Sequence, residues 1–120
     1  MTNAQLGKFG ESLACRYYQR KGFTLVSRNF RFKNFEIDLV FSTGCRLVFV
    51  EVKTRSNSFY TQKELVSNKK LASLKTAIYL FLQQKRQSEL ENWELHLFSL
   101  SVGSKSAPQI KVLPLLQGFG

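Results

Sequence analysis

The sequence predicts an α+β fold in the order α-β-β-β-α-β, a three-stranded meander flanked by helices. Three observations carry this expectation. Apolar residues recur at helical spacing over residues 4–20 and again over 65–87; three consecutive runs rich in β-branched and aromatic residues lie between them; and an alternating run at 92–102 follows the second helix. A chain of 120 residues with 43% hydrophobic content can build one core and is short for two, so a single domain spanning residues 1–120 is expected.

In the first helix, Leu6, Gly10, Leu13, Ala14 and Tyr17 share a face, Thr2 or Asn3 is available as the N-cap, and Gly22 is the stop. "FTLVSRNFRF" (23–32) alternates from Arg28 onward and reads as the first strand. "EIDLVFSTGCRLVFVEVK" (36–53) supplies the second and third, joined at Gly44-Cys45, where a type II′ turn needs the positive φ that glycine takes without penalty. Beyond the polar "TRSNSFYTQ", residues Leu71, Leu74, Ile78, Phe81 and Leu82 fall on one face of the second helix. "NWELHLFSLSV" sets Trp93, Leu95 and Leu97 against Glu94, His96 and Phe98 as a fourth strand, and "QIKVLPLL" is expected to be a short edge element ended by Pro114.

The hairpin turn has a consequence for charge. With Gly44-Cys45 central, Val40 faces Phe49, Asp38 faces Glu51 and Glu36 faces Lys53, all on one side of the pleat, while Ile37, Leu39, Phe41, Val48, Val50 and Val52 make the other side wholly apolar. Directly opposed residues have Cβ atoms roughly 4.5 to 5.5 Å apart, close enough for two carboxylates to repel unless a proton or cation lies between them. Asp38 is the only aspartate in the chain, and this hairpin holds three of its eight acidic residues. A solvated strand end, with a Glu36–Lys53 ion pair worth at most about 1 kcal/mol, is the plainer reading of the same pattern. From spacing alone both readings stand.

Composition narrows the partner. Eighteen Lys and Arg against eight Asp and Glu give a net charge of +10, the footprint of a protein that meets a polyanion, nucleic acid before an anionic membrane. "MTNAQLGKFGES" lacks the basic and apolar regions of a secretory signal, and the densest apolar run, "AIYLFL", is far below the roughly 18 residues of a membrane span, so a cytoplasmic protein is expected. Cys15 and Cys45 have no CxxC spacing and His96 is the sole histidine, which argues against a zinc site and leaves the thiols as small apolar fillers. His96 is assigned no role.

"GKFGESLACRYYQRKGF", "RNFRFKNFEIDLV", "LVFVEVKTRSNSFY" and "VSNKKLASLKTAIYLFL" together resemble the YraN family of small bacterial proteins. Through the acid on one strand and Glu-x-Lys on the next, the chain also resembles the wider PD-(D/E)xK nuclease superfamily, which includes Holliday-junction resolvases. The likeness covers about the first 82 residues. Phe35 stands where a glycine usually precedes Glu-Ile-Asp, and "WELHLFSL" where the family usually reads Arg-Phe-Asp. The resemblance implies a restriction-endonuclease-like three-layer fold with a mixed central sheet. It also implies Asp38 and Glu51 as ligands of Mg²⁺ or Mn²⁺, Lys53 as partner of the attacking water or scissile phosphate, and Glu11 as an outer ligand.

Helical geometry puts Glu11 about 120° from the centre of the apolar face, where a solvated boundary residue and a ligand are both open. Glu36, on the side of Asp38, is a candidate neighbour supporting the site or a paired structural glutamate. The expected activity is metal-dependent endonucleolytic cleavage of DNA, branched or structured DNA included; the alternative is a noncatalytic nucleic-acid-binding or accessory module on the same scaffold. Arg28, Arg31, Lys33, Arg55, Lys63, Lys69 and Lys70 are the expected phosphate contacts, with Phe59-Tyr60 placed to stack on an unpaired base or fold back on the core. Symmetric cutting of a junction would call for a homodimer.

Overall fold

The computed structural model describes residues 2–56, 66–85, 92–103 and 107–119. Helix α1 (Asn3–Arg20) leads into strands β1 (Thr24–Phe32), β2 (Phe35–Thr43) and β3 (Arg46–Ser56); helix α2 (Asn68–Lys85) precedes β4 (Asn92–Val102) and β5 (Gln109–Phe119). The strands form one sheet in the order β1-β2-β3-β4-β5. Only the β3–β4 pair is parallel. A parallel neighbour requires a crossover connection, and α2 lies within it. The result is an α+β architecture with a mixed sheet between two helices, the fold class expected from the sequence.

Local chemistry sets the element ends. Thr2 caps α1 in a reciprocal box: its hydroxyl accepts the Gln5 N–H at 3.1 Å while the Gln5 side chain accepts the Thr2 N–H at 2.8 Å. Gly22, at φ 92°, turns the chain out of the helix, and Gly44, at φ 58°, closes the β2–β3 hairpin as its turn type demands. The second helix starts later than its periodicity suggests. Ser67 stops it there, its hydroxyl accepting the Lys70 N–H at 3.1 Å and its carbonyl the Leu71 N–H at 2.9 Å.

The last strand is also longer than expected. Pro114 does not terminate β5; it sits opposite His96 on an edge strand, next to a bulge where Leu116 pairs with Leu95. An edge position tolerates the missing N–H, and the bulge absorbs the misfit.

Each helix covers one face of the sheet. Under α1 lie Leu39, Phe41, Val48, Val50, Phe98 and Leu100 with Ala14, Cys15 and Tyr18. Under α2 lie Val40, Phe49, Leu95 and Leu97 with Leu74, Ala77, Ile78 and Phe81. Gly10 brings α1 down onto β3, since a Cβ there would overlap the Thr54 hydroxyl and lie 3.2 Å from Val52 Cγ1. Among the described residues no helix is long and apolar enough to cross a membrane.

Phe81 anchors α2. It is fully buried and meets Phe30 and Phe49 edge-on, with ring centroids 5.1 and 5.5 Å away. Phe81→Ala is expected to cost about 3–5 kcal/mol through lost burial and the cavity left behind, read as a lower urea midpoint at unchanged slope. A cost under about 1 kcal/mol would mean that α2 is held by something other than this aromatic cluster.

Candidate active site on the β2–β3 hairpin

The hairpin pairs as the turn dictates: Phe41 with Val48, Val40 with Phe49, Leu39 with Val50. There the ladder ends. Beyond it, Asp38 Oδ2 accepts the Val52 N–H at 2.8 Å, a donor that a continued ladder would have offered to the β2 backbone. Asp38 thus meets Glu51 where the two strands part company, and a hydrogen bond joins the two side chains.

The strict alternation expected along β2 also breaks at this point. Ile37 packs with Val40 on the α2 side, whereas Leu39 and Phe41 pack on the α1 side, so Ile37 is not part of the Leu39 face. On β1, Asn29 takes φ 56° and is skipped in the pairing between Arg28–Leu39 and Phe30–Ile37. Both strands therefore shift phase around Asn29 and Asp38. The expected Glu36–Lys53 opposition is not formed, because β2 and β3 no longer pair that far out; Glu36 instead pairs with Arg31 of β1 at 2.8 Å.

Glu51 is the sole buried charged residue among those described, at 4% exposure. Burial, the Asp38 charge and the hydrogen bond that the protonated Glu51 carboxyl donates to Asp38 push it up to about 8, with Lys70 and Lys53 pulling the other way. Lys70 reaches down from the first turn of α2, its Nζ 3.3 Å from Glu51 Oε2. Lys53 lies two residues along β3 from Glu51, on the same side of the strand.

Glu11 approaches from the α1 side. Its carboxyl is raised by burial first and then by the Asp38 charge, against Arg28 and a hydrogen bond from the Asn29 side chain. Arg28 stands 3.8 Å from it. Held by Arg28 and Asn29, Glu11 is an electrostatic neighbour of Asp38, and among the described residues no group of three His, Cys, Asp or Glu gathers closely enough to hold a metal ion. The donors that do converge suit a hard cation. They are two carboxylates on adjacent strands already bonded to each other, and Mg²⁺ asks for only one or two carboxylates beside water and phosphate.

The expected phosphate contacts separate into groups. Arg28 and Arg31 both lie on the α1 face, since Asn29 resets the alternation, and each is ion-paired with an acid. Lys33 is exposed in the β1–β2 turn, its ammonium 5.8 Å from the Phe32 ring. Arg55 is exposed near the end of β3, and Lys69 is exposed in the first turn of α2. Lys70 belongs with Glu51 instead. Lys63, Phe59 and Tyr60 lie outside the described residues.

His96, left without a role by the sequence, carries a polar network on the α1 face. Tyr18 Oη lies 2.8 Å from His96 Nδ1, His96 Nε2 lies 3.2 Å from Glu94 Oε1, and Arg46 meets the other Glu94 oxygen at 2.6 Å. Burial raises the Tyr18 hydroxyl and keeps it protonated, and the two ring nitrogens of His96 join it to Glu94. Nothing in the spacing of these four residues points to it; only the strand register assembles them.

The profile of the uncharacterised protein family UPF0102 matches residues 10–99. A UPF0102 protein of Syntrophomonas wolfei is 43% identical over 82 residues, which cover 68% of this chain and 71% of that protein. One from Carboxydothermus hydrogenoformans is 42% identical over 85 residues, 70% of this chain and 72% of that protein. Another, from Alkaliphilus oremlandii, is 35% identical over 101 residues, 83% of this chain and 86% of that protein. The matched span is most of the chain and contains Glu11, Glu36, Asp38, Glu51, Lys53 and Lys70, and with these relatives it shows that the chain belongs to the uncharacterised protein family UPF0102, the YraN family.

Proposed function

We propose that this protein is a metal-dependent endonuclease of DNA, with Asp38 and Glu51 as ligands of Mg²⁺ or Mn²⁺ and Lys53 as the cation at the scissile phosphate. One observation carries the reading: where the β2–β3 ladder opens, Asp38 turns its carboxylate to the Val52 N–H beside the buried carboxyl of Glu51 on the adjacent strand, with a lysine two residues further along. A structural strand has no use for such a pair, because burying like charges together is costly. A divalent ion bound there would supply Lewis-acid charge to the phosphoryl oxygen and lower the pKa of a water beside it.

The chain's own residues do the rest. Asp38, held by the Val52 N–H, and Glu51, held by burial, present oxygens at a fixed spacing. Lys53 places positive charge where negative charge grows during phosphodiester hydrolysis. Lys33, Arg55 and Lys69, with the +10 net charge behind them, draw in the phosphate backbone without reading bases, which suits branched or otherwise structured DNA. Two cuts across a junction would need a homodimer, and the reading places the protein with its DNA in the cytoplasm.

A second reading has its own support. The Asp38–Glu51 pair is already satisfied by a shared proton and by Lys70, as in a scaffold that binds nucleic acid without cutting it. Titrating Mn²⁺ into the wild type in a calorimeter, alongside cleavage assays on junction, flap and single-stranded DNA, separates the two. The nuclease predicts site-dependent heat and product. No heat and no product with any of the three DNAs leaves the scaffold.

A further inference from the structure

Lys69 and Lys70 are adjacent in sequence, and composition alone would treat them as equivalent. Their surroundings differ. Lys69 is exposed, whereas Lys70 spans from α2 to the buried carboxylate of Glu51, 3.3 Å away. A lysine in the first turn of a helix also works against the helix dipole, which favours acids there by roughly 0.3–1 kcal/mol. The first turn of α2 has no acid. Ser67 caps the helix through the Lys70 N–H, so the backbone that carries this side chain is fixed at its root. A lysine kept in an unfavourable place and aimed at the sole buried charge among the described residues is there for that charge.

We infer that Lys70 is a positioning residue of the active site: it fixes the Glu51 carboxylate from the helix side, where Asp38 and Glu51 would hold a divalent ion. The inference rests on the nuclease reading above and takes Lys70 out of the peripheral phosphate contacts. On β3, Glu51 has Lys53 two residues away along its own strand; from α2 it has Lys70. Among the described residues, Asp38 is the remaining charged group that acts on it. Without Lys70 the carboxylate keeps its burial and its interaction with Asp38 but loses the cation that, among the described residues, is in direct contact with it.

The test compares affinity for a labelled DNA junction in EDTA with affinity in Ca²⁺, a hard oxygen-seeking ion used here as a probe of metal-bridged phosphate binding. Wild type is expected to gain affinity in Ca²⁺, and Asp38→Ala to lose that gain. Lys70→Met should keep the EDTA affinity within about twofold yet lose the Ca²⁺-dependent gain, with kcat in Mn²⁺ down about 10- to 100-fold at similar KM, the usual cost of removing a residue that orients a metal ligand. Lys70→Arg should restore most of both. Lys69→Met should instead weaken binding in both buffers, lower the salt slope by about one, and keep the gain.

A Lys70→Met protein that keeps the full Ca²⁺-dependent gain, or one that merely behaves like Lys69→Met, overturns the inference while leaving the metal site standing. A wild type with neither gain nor cleavage overturns the metal site itself, and the inference with it. Loss of the EDTA affinity in Lys70→Met would mean a direct DNA contact and count against positioning.

Discussion

Asp38→Ala should lose cleavage by at least about a thousandfold in kcat while binding DNA in metal-free buffer within about threefold of wild type. The effect is large because Asp38 links three parts of the site. It bonds to Glu51, raises Glu11 and takes the Val52 N–H. Removing it takes away one of the two carboxylates available to an ion and lets Glu51 relax. Affinity without metal should hold, since removing a negative charge cannot weaken attraction to phosphate.

The Val52 N–H makes alanine an imperfect probe, because an orphaned buried donor costs about 1–3 kcal/mol by itself. Asp38→Asn answers this. Its amide oxygen still accepts the Val52 N–H, so the strand opening survives while the charge is gone. Cleavage by Asp38→Asn at the wild-type rate would remove Asp38 from the chemistry. Parallel loss of cleavage, DNA binding and thermal stability in both variants would mark a structural residue.

The second large effect is on stability against pH. In the fold Glu51 gives up its proton near 8; unfolded, it does so near the ordinary value of 4.5. Between those values the folded state holds a proton that the unfolded state has lost. Its stabilising contribution is therefore fully present below about 4.5 and is lost as the pH rises towards 8. In EDTA the wild type should lose stability relative to Glu51→Gln at up to about 1.4 kcal/mol per pH unit across that window, a few kcal/mol in all. Glu51→Gln stays neutral and serves as the reference, cancelling the contributions of groups that the two proteins share. Mn²⁺ at pH 8 should restore the wild type and leave Glu51→Gln unmoved. Parallel stability curves for the two proteins from pH 5 to 8 would mean that Glu51 is ionised in the fold at ordinary pH.

Much of the fold was legible because it rests on short-range physics. The α1 cap, the Gly22 exit, the Gly44 turn and the Leu39–Val50 register each follow from two or three neighbouring residues. Where several residues compete, the reading went astray. Pro114 looked like a terminator, yet an edge strand with a bulge carries it within Gln109–Phe119. The periodicity of α2 ran back past Ser67, but a hydroxyl cap outranks periodicity in setting a first turn.

The site divides in the same way. Residue type and hairpin spacing named Asp38, Glu51 and Lys53, since a turn of known geometry brings defined positions of two strands together. The same spacing opposed Glu36 to Lys53 and put Ile37 with Leu39, and both fail because the strands shift phase at Asn29 and Asp38. Opposition across a hairpin holds only while its two strands pair, and past Leu39 strand β2 pairs with β1 and no longer with β3. Lys70 was read as a phosphate contact, and neither its contact with Glu51 nor the Tyr18–His96–Glu94–Arg46 network had a local signature.

The sequence by itself determined the hairpin and therefore the neighbourhood of the two acids, because turn geometry and side-chain alternation act within a few residues. Only the tertiary structure decided where the ladder opens, which cation reaches Glu51, and how far burial shifts its proton affinity. Those depend on groups distant along the chain, α2 above all, and the energy of a buried charge is set by everything packed around it.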